Sequence, residues 1–238
     1  MSKRSYTQKE IEKSILDILK DHTNILYQKN LIGYKGKTKD TSRYYSEVIS
    51  EVLLQRENLK HLSEIPSLTR EKSYKIPSHK EPKLPSKDSN RIEERIAIRM
   101  KTGHFNSPDF GKILDYQIPL KNKQTDKKTG KIDLLSQKEK ENMIYLLELK
   151  KKDNTNDGLL KSVLEIFTYS KIVDAKKLKR DFELNSNCKL LPAVLIFHGS
   201  RPDNEYKSNS FPQLNKLIKK LKVSIFFISE EQLKQLPE

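Results

Sequence analysis

Two carboxylates and one ammonium group stand at spacings that allow them to meet. Asp133, Glu148 and Lys150 all fall within KIDLLSQKEKENMIYLLELKKK, residues 131–152. Apolar runs at 132–135 and 144–149 flank a polar patch at 137–142, the pattern of two strands joined by a tight turn. With the turn centred between Lys140 and Glu141, Asp133 falls opposite Glu148. Side chains alternate along a strand, so Glu148 and Lys150 share a face and Asp133 points to the same side; a slip of one residue would separate them. Two carboxylates and the Leu149 main-chain carbonyl are oxygen donors suited to a hard divalent cation. Such a site can hydrolyse a phosphodiester, which needs an activated water and positive charge on the developing phosphorane. Lys150 would orient that water and offset phosphate charge.

Glu-x-Lys and Asp-x-Lys come cheaply in a chain with 47 Lys and Arg: Glu81-Pro-Lys83, Asp126-Lys-Lys128, Asp174-Ala-Lys176 and Glu205-Tyr-Lys207 also match. Only Glu148-Leu-Lys150 ends an apolar strand with an Asp across a hairpin, and Glu148 interrupts the otherwise apolar run IYLLEL. The competing reading is a frayed strand end whose exposed ion pair contributes little.

The elements that must position these groups follow from periodicity. A helix is expected at 91–101, strands at 112–120, 131–137 and 143–151, a long helix at 158–173, a strand at 190–197, a helix at 211–221 and a strand at 223–228. The run LPAVLIF does not alternate, which predicts a sheet covered on both faces. Residues 1–65 read as a small, mainly helical region. Thr7 with Glu10 starts a helix bearing Ile11, Ile15, Ile18 and Leu19, and Thr41 or Ser42 caps another bearing Tyr45, Val48, Ile49, Val52 and Leu53. Residues 66–90, punctuated by Pro66, Pro77, Pro82 and Pro85 and poor in apolar residues, read as a basic linker, solvated in preference to lying along a phosphate backbone.

Asp133 followed by Glu148-x-Lys150, in an αβββαβ order, resembles the PD-(D/E)XK nuclease superfamily over residues 91–229. The resemblance implies an α/β protein whose 91–238 domain has a restriction-endonuclease-like αβββαβ core, a mixed sheet flanked by helices. It implies that Asp133 and Glu148 hold Mg2+ or Mn2+ with the Leu149 carbonyl, and that Lys150 assists the attacking water. Glu93 on the first helix would complete the metal site, with Glu94 a substitute. Glu165 and Tyr169 would match a Gln-x-x-x-Tyr reaching over the active site, with Glu in place of Gln. Ile132-Asp133 departs from the usual Pro-Asp. Each supporting residue also has a plainer reading: Asn90 and Glu93 have capping-box spacing, and Lys161–Glu165 reads as a solvated pair beside a surface Tyr169.

Composition points the same way. The 238 residues carry a net charge of +15, with 34% hydrophobic and 33% charged residues, and mean hydropathy is −0.77. Such a balance favours a polyanionic partner, nucleic acid ahead of membrane. The single cysteine, Cys188, excludes an intrachain disulfide framework. His22, His61, His79, His104 and His198 show no metal-ligand spacing. With no apolar leader and no run long enough to span a bilayer, a cytoplasmic protein is expected. The reading is a metal-dependent nuclease, DNA favoured over RNA. A second is a nucleic-acid-binding protein that keeps the fold without turnover. A third is an assembly protein, a homodimer or a partner complex formed through the N-terminal helices.

Overall fold

The computed structural model describes residues 5–21, 23–86, 88–122, 130–152 and 157–236. Thr7 and Glu10 close a reciprocal cap, the Glu10 amide donating to Thr7 Oγ1 at 3.2 Å and the Thr7 amide to Glu10 Oε2 at 2.7 Å. Helix α1, Gln8–Asp21, runs from that cap and buries Ile11, Ile15 and Leu19. Short helical turns follow, ending in α2, Asn30–Gly33. Helix α3, Tyr45–Leu54, buries Tyr45, Val48, Ile49, Val52 and Leu53, and α4 spans Arg56–Ser63. The start of α3 corrects the expected cap: Tyr44, not Thr41 or Ser42, precedes its first turn. Ser42 takes a left-handed φ of 53° inside a small hairpin bridged by Lys37 and Tyr44, which removes it from the helix.

The remaining elements are α5 (Ile92–Thr102), β1 (Asn106–Ser107), β2 (Gly111–Pro119), β3 (Lys131–Lys138), β4 (Met143–Lys150), α6 (Leu159–Ile172), α7 (Ala175–Asp181), β5 (Lys189–Phe197), α8 (Arg201–Lys207), α9 (Pro212–Leu221), β6 (Ser224–Ile228) and α10 (Glu230–Lys234). The described residues form a six-stranded mixed sheet in the order β1-β2-β3-β4-β5-β6. Strands β1 to β4 are antiparallel in turn, whereas β4, β5 and β6 run parallel and are joined through helices. The protein is thus α/β, with helices on both faces of the sheet.

Alternation sorts the two cores. Tyr145, Leu147 and Leu149 of β4 pack with Ala97, Ile98 and Met100 of α5. Ile144 and Leu146 pack on the other face with Leu160, Val163, Leu164 and Phe167 of α6. The same core includes Ile11, Leu26, Tyr45, Val48 and Ile49, so the N-terminal helices bury their apolar stripes against this chain's own sheet layer. Glu47 ties them to α9, accepting from the Gln213 and Leu214 amides at 3.1 and 2.9 Å, where a carboxylate complements a helix start.

Much of the segment expected to be solvated is docked. Tyr74 is 1% exposed and Arg70 6%. The Arg70 guanidinium donates to the Lys121 carbonyl. The Tyr74 amide donates to Asp181, and the Asp174 amide donates to the Tyr74 hydroxyl. His79 meets Asp115 at 2.8 Å and stacks on Tyr116. Specific polar anchors hold a stretch whose apolar content alone would leave it loose. Among the described residues no helix is long and apolar enough to cross a membrane.

Candidate active site

The β3–β4 register pairs Leu134 with Leu147 and Leu135 with Leu146. Continued by one residue, it sets Asp133 opposite Glu148, as the turn position predicted. The even positions of β4 face α6, so Glu148 and Lys150 continue the row begun by Ile144 and Leu146. Both are buried, at 4% and 5% exposure. Lys150 Nζ donates to Glu148 Oε1 at 2.6 Å, which excludes a frayed, solvated strand end. Asp133 is half-buried. Its Oδ2 accepts the Leu149 amide at 2.9 Å and its Oδ1 accepts Gln117 Nε2 at 2.9 Å.

Helix α6 lies over this patch. Glu165 Oε2 stands 3.7 Å from Lys150 Nζ, and the buried Tyr169 hydroxyl donates to Glu165 Oε1 at 2.8 Å. Glu165 and Tyr169 therefore face the sheet, correcting the solvated-pair alternative. Lys161 pairs instead with Asp157 at 2.6 Å, and Asp157 Oδ2 lies 3.7 Å from Lys150. Glu93 does not form the capping box with Asn90: Arg91 stands at the N-cap of α5 without a side-chain cap, and Glu93 Oε1 accepts the Lys151 amide at 3.2 Å. That bond brings α5 to the end of β4. Glu94 turns away to pair with Arg91.

Charge is lopsided here. Burial pushes the Asp133 carboxyl up to about 7, with Glu93 and Glu165 adding to the rise against the pull of Lys150 and the Leu149 amide. Burial, then Asp133 and Glu165, hold Glu148 well above the usual carboxylate range even with Lys150 beside it. Burial alone would lower the Lys150 ammonium, but Glu148, Glu165, Asp133 and Glu93 more than offset it and keep its pKa well above the ordinary value. Tyr169 is pushed up by burial and then by Glu165 and Glu148.

Three contributors escaped sequence reasoning. Gln117 sits on β2 between the pairs Tyr116–Leu134 and Ile118–Ile132, hence opposite Asp133. Its strand was expected but its register was not. Asp157 gave no local sign beyond its i,i+4 spacing to Lys161. Tyr27, in an ambiguous segment, packs edge-on against Tyr169 with ring centroids 5.5 Å apart. Two rival Asp/Glu-x-Lys acids have structural work: Asp174 caps α7, and Glu205 accepts the Leu159 amide at the start of α6. Asp126 and His22 lie outside the described residues.

As ligands, Asp133 and Glu148 offer oxygen, the donor type a hard cation takes, and their mutual repulsion is what such a cation would offset. Among the described residues, however, no group of three or more His, Cys, Asp or Glu side chains is disposed to hold a metal ion. Glu93 lies near enough to raise the Asp133 pKa while accepting the Lys151 amide. No family model, curated protein or solved structure matches this chain.

Proposed function

We propose that the protein is a metal-dependent nuclease of the PD-(D/E)XK type, acting on DNA in preference to RNA, with its active site on the α6 side of β3 and β4. One observation carries this reading: Asp133, Glu148 and Lys150 meet at the end of a hairpin in an otherwise apolar layer. Burying Glu148 and Lys150 beside the half-buried Asp133 is unfavourable, and function is a reason to retain them. With the two-residue β1 and the short α7 set aside, the element order α5-β2-β3-β4-α6-β5 is the one an αβββαβ core would have, and the net charge of +15 suits a phosphate backbone.

In this reading Asp133 and Glu148 hold Mg2+ or Mn2+, which typically takes only one or two protein carboxylates and completes its shell with water and substrate phosphate. Bound there, the ion supplies Lewis-acid activation of a water and of the scissile phosphate. Lys150 assists the attacking water, its ammonium form favoured by the surrounding carboxylates. It orients Glu148 and offsets charge on the phosphate. Glu165, steadied by Tyr169, sets the field on Lys150 from above.

A second reading has its own support. Lys150 is closed in by Glu148, Asp157 and Glu165, which limits its access to a scissile phosphate and favours a fold that binds nucleic acid without cleaving it. One assay separates the two. Purified protein is incubated with plasmid and oligonucleotides in Mg2+ or Mn2+, beside Glu148→Ala and Lys150→Ala. Cleavage lost in both variants with binding retained supports the nuclease. Binding that falls steeply with salt, without any cleavage, supports the binder.

A further inference from the structure

We infer that Gln117 is a positioning residue for Asp133, held in an unfavourable backbone conformation for that purpose; the inference rests on the nuclease reading above. Gln117 has φ of 45° near the C-terminal end of β2. Residues with a Cβ rarely occupy this left-handed region. The register is displaced just upstream, between Ile113 and Asp115, so the strand reaches Gln117 already offset by one residue. Downstream, Ile118 and Pro119 pair normally with Ile132 and Lys131. The faces change across this position: Tyr116 and Leu134 pack in the α5-side core, Ile118 and Ile132 in the α6-side core, with Gln117 and Asp133 between them.

Its result is specific. Gln117 Nε2 donates to Asp133 Oδ1 at 2.9 Å while the Leu149 amide donates to Oδ2 at 2.9 Å. Each carboxylate oxygen has two lone pairs. Two amides from the two neighbouring strands take one from each oxygen and fix the carboxylate plane, leaving the other lone pairs to a cation. A carboxylate ligand free to rotate would bind less tightly and hold substrate less uniformly, which is the service a hydrogen-bonding partner behind a ligand provides.

The test uses the full chain with Gln117→Ala and Gln117→Gly, reading Mn2+ affinity by calorimetry, cleavage rate and melting temperature. Both variants lose the amide, but glycine tolerates the left-handed backbone and alanine does not. The expected result is a loss of about 10- to 100-fold in Mn2+ affinity or cleavage, equal in the two variants, with Gln117→Gly melting above Gln117→Ala. Wild-type activity together with unchanged affinity and cleavage in Gln117→Gly overturns the inference and leaves the nuclease reading standing. So does activity that follows melting temperature across the pair. A wild-type protein that neither binds Mn2+ nor cleaves overturns the nuclease reading and this inference with it.

Discussion

Lys150 donates to Glu148 across 2.6 Å with both side chains buried, and two further carboxylates, Asp157 and Glu165, stand 3.7 Å from the same nitrogen. One ammonium thus serves several acids. A pair like this, broken on one side, leaves uncompensated charge in a poorly solvated place.

Lys150→Met should therefore lower unfolding stability by about 3–5 kcal/mol near neutral pH, the range for removing one partner of a buried pair. The loss should shrink in mild acid, where the stranded carboxylates take up protons. Urea titrations at both pH values read it. A variant as stable as the wild type at neutral pH would mean that the carboxylates need no counter-charge.

Asp133 in the folded chain titrates at about 7 against an ordinary 3.8, and Glu148 is raised in the same sense. Between those values the folded state holds a proton that the unfolded chain has released. Stability should accordingly fall as pH rises through that window, and Asp133→Asn should flatten the fall. Mg2+ competes with the proton, so it should raise the melting temperature more at about pH 8 than at about pH 5.5. Melting curves with and without Mg2+ decide it; a pH-independent Mg2+ effect, or none, counts against these two acids as ligands.

Gly130, at the entrance to β3, leaves room for the Tyr169 hydroxyl: a Cβ there would collide with it. Gly130→Ala should cost about 1–3 kcal/mol through overpacking. Tyr169→Phe, which removes the hydroxyl and its bond to Glu165, should cost about 1 kcal/mol by itself. Together the two changes should be less harmful than their sum, because losing the hydroxyl removes the nearer of the two clashes and leaves only the one with the ring carbon. Strict additivity in denaturant unfolding would show that the two residues do not compete.

The hairpin was readable in the chain because its information is local. Apolar runs of matched length around one polar turn leave a single register that keeps Leu134, Leu135, Leu146 and Leu147 in their cores, and that register sets Asp133 opposite Glu148. The helices at 92–102, 159–172 and 212–221 were equally readable, since each repeats apolar residues at helical spacing. The segment at 66–90 misled on composition. Its anchors, Arg70, Tyr74 and His79, bond to Lys121, Asp181, Asp174 and Asp115, partners distant in the chain.

What the sequence by itself determined is the five longer strands, the main helices and the pairing of two acids and a lysine across one turn; the short α4, α7, α8, α10 and β1 came only with the fold. The readable features depend on residue periods that span at most a few turns of chain. Only the tertiary structure decided that Glu165 and Tyr169 face the sheet, that Asp157 joins Lys150, that Glu93 bonds to the end of β4, and that Gln117 braces Asp133. Each of those contacts depends on how one element is rotated or offset against another. Packing sets that rotation, and no spacing within a single element encodes it.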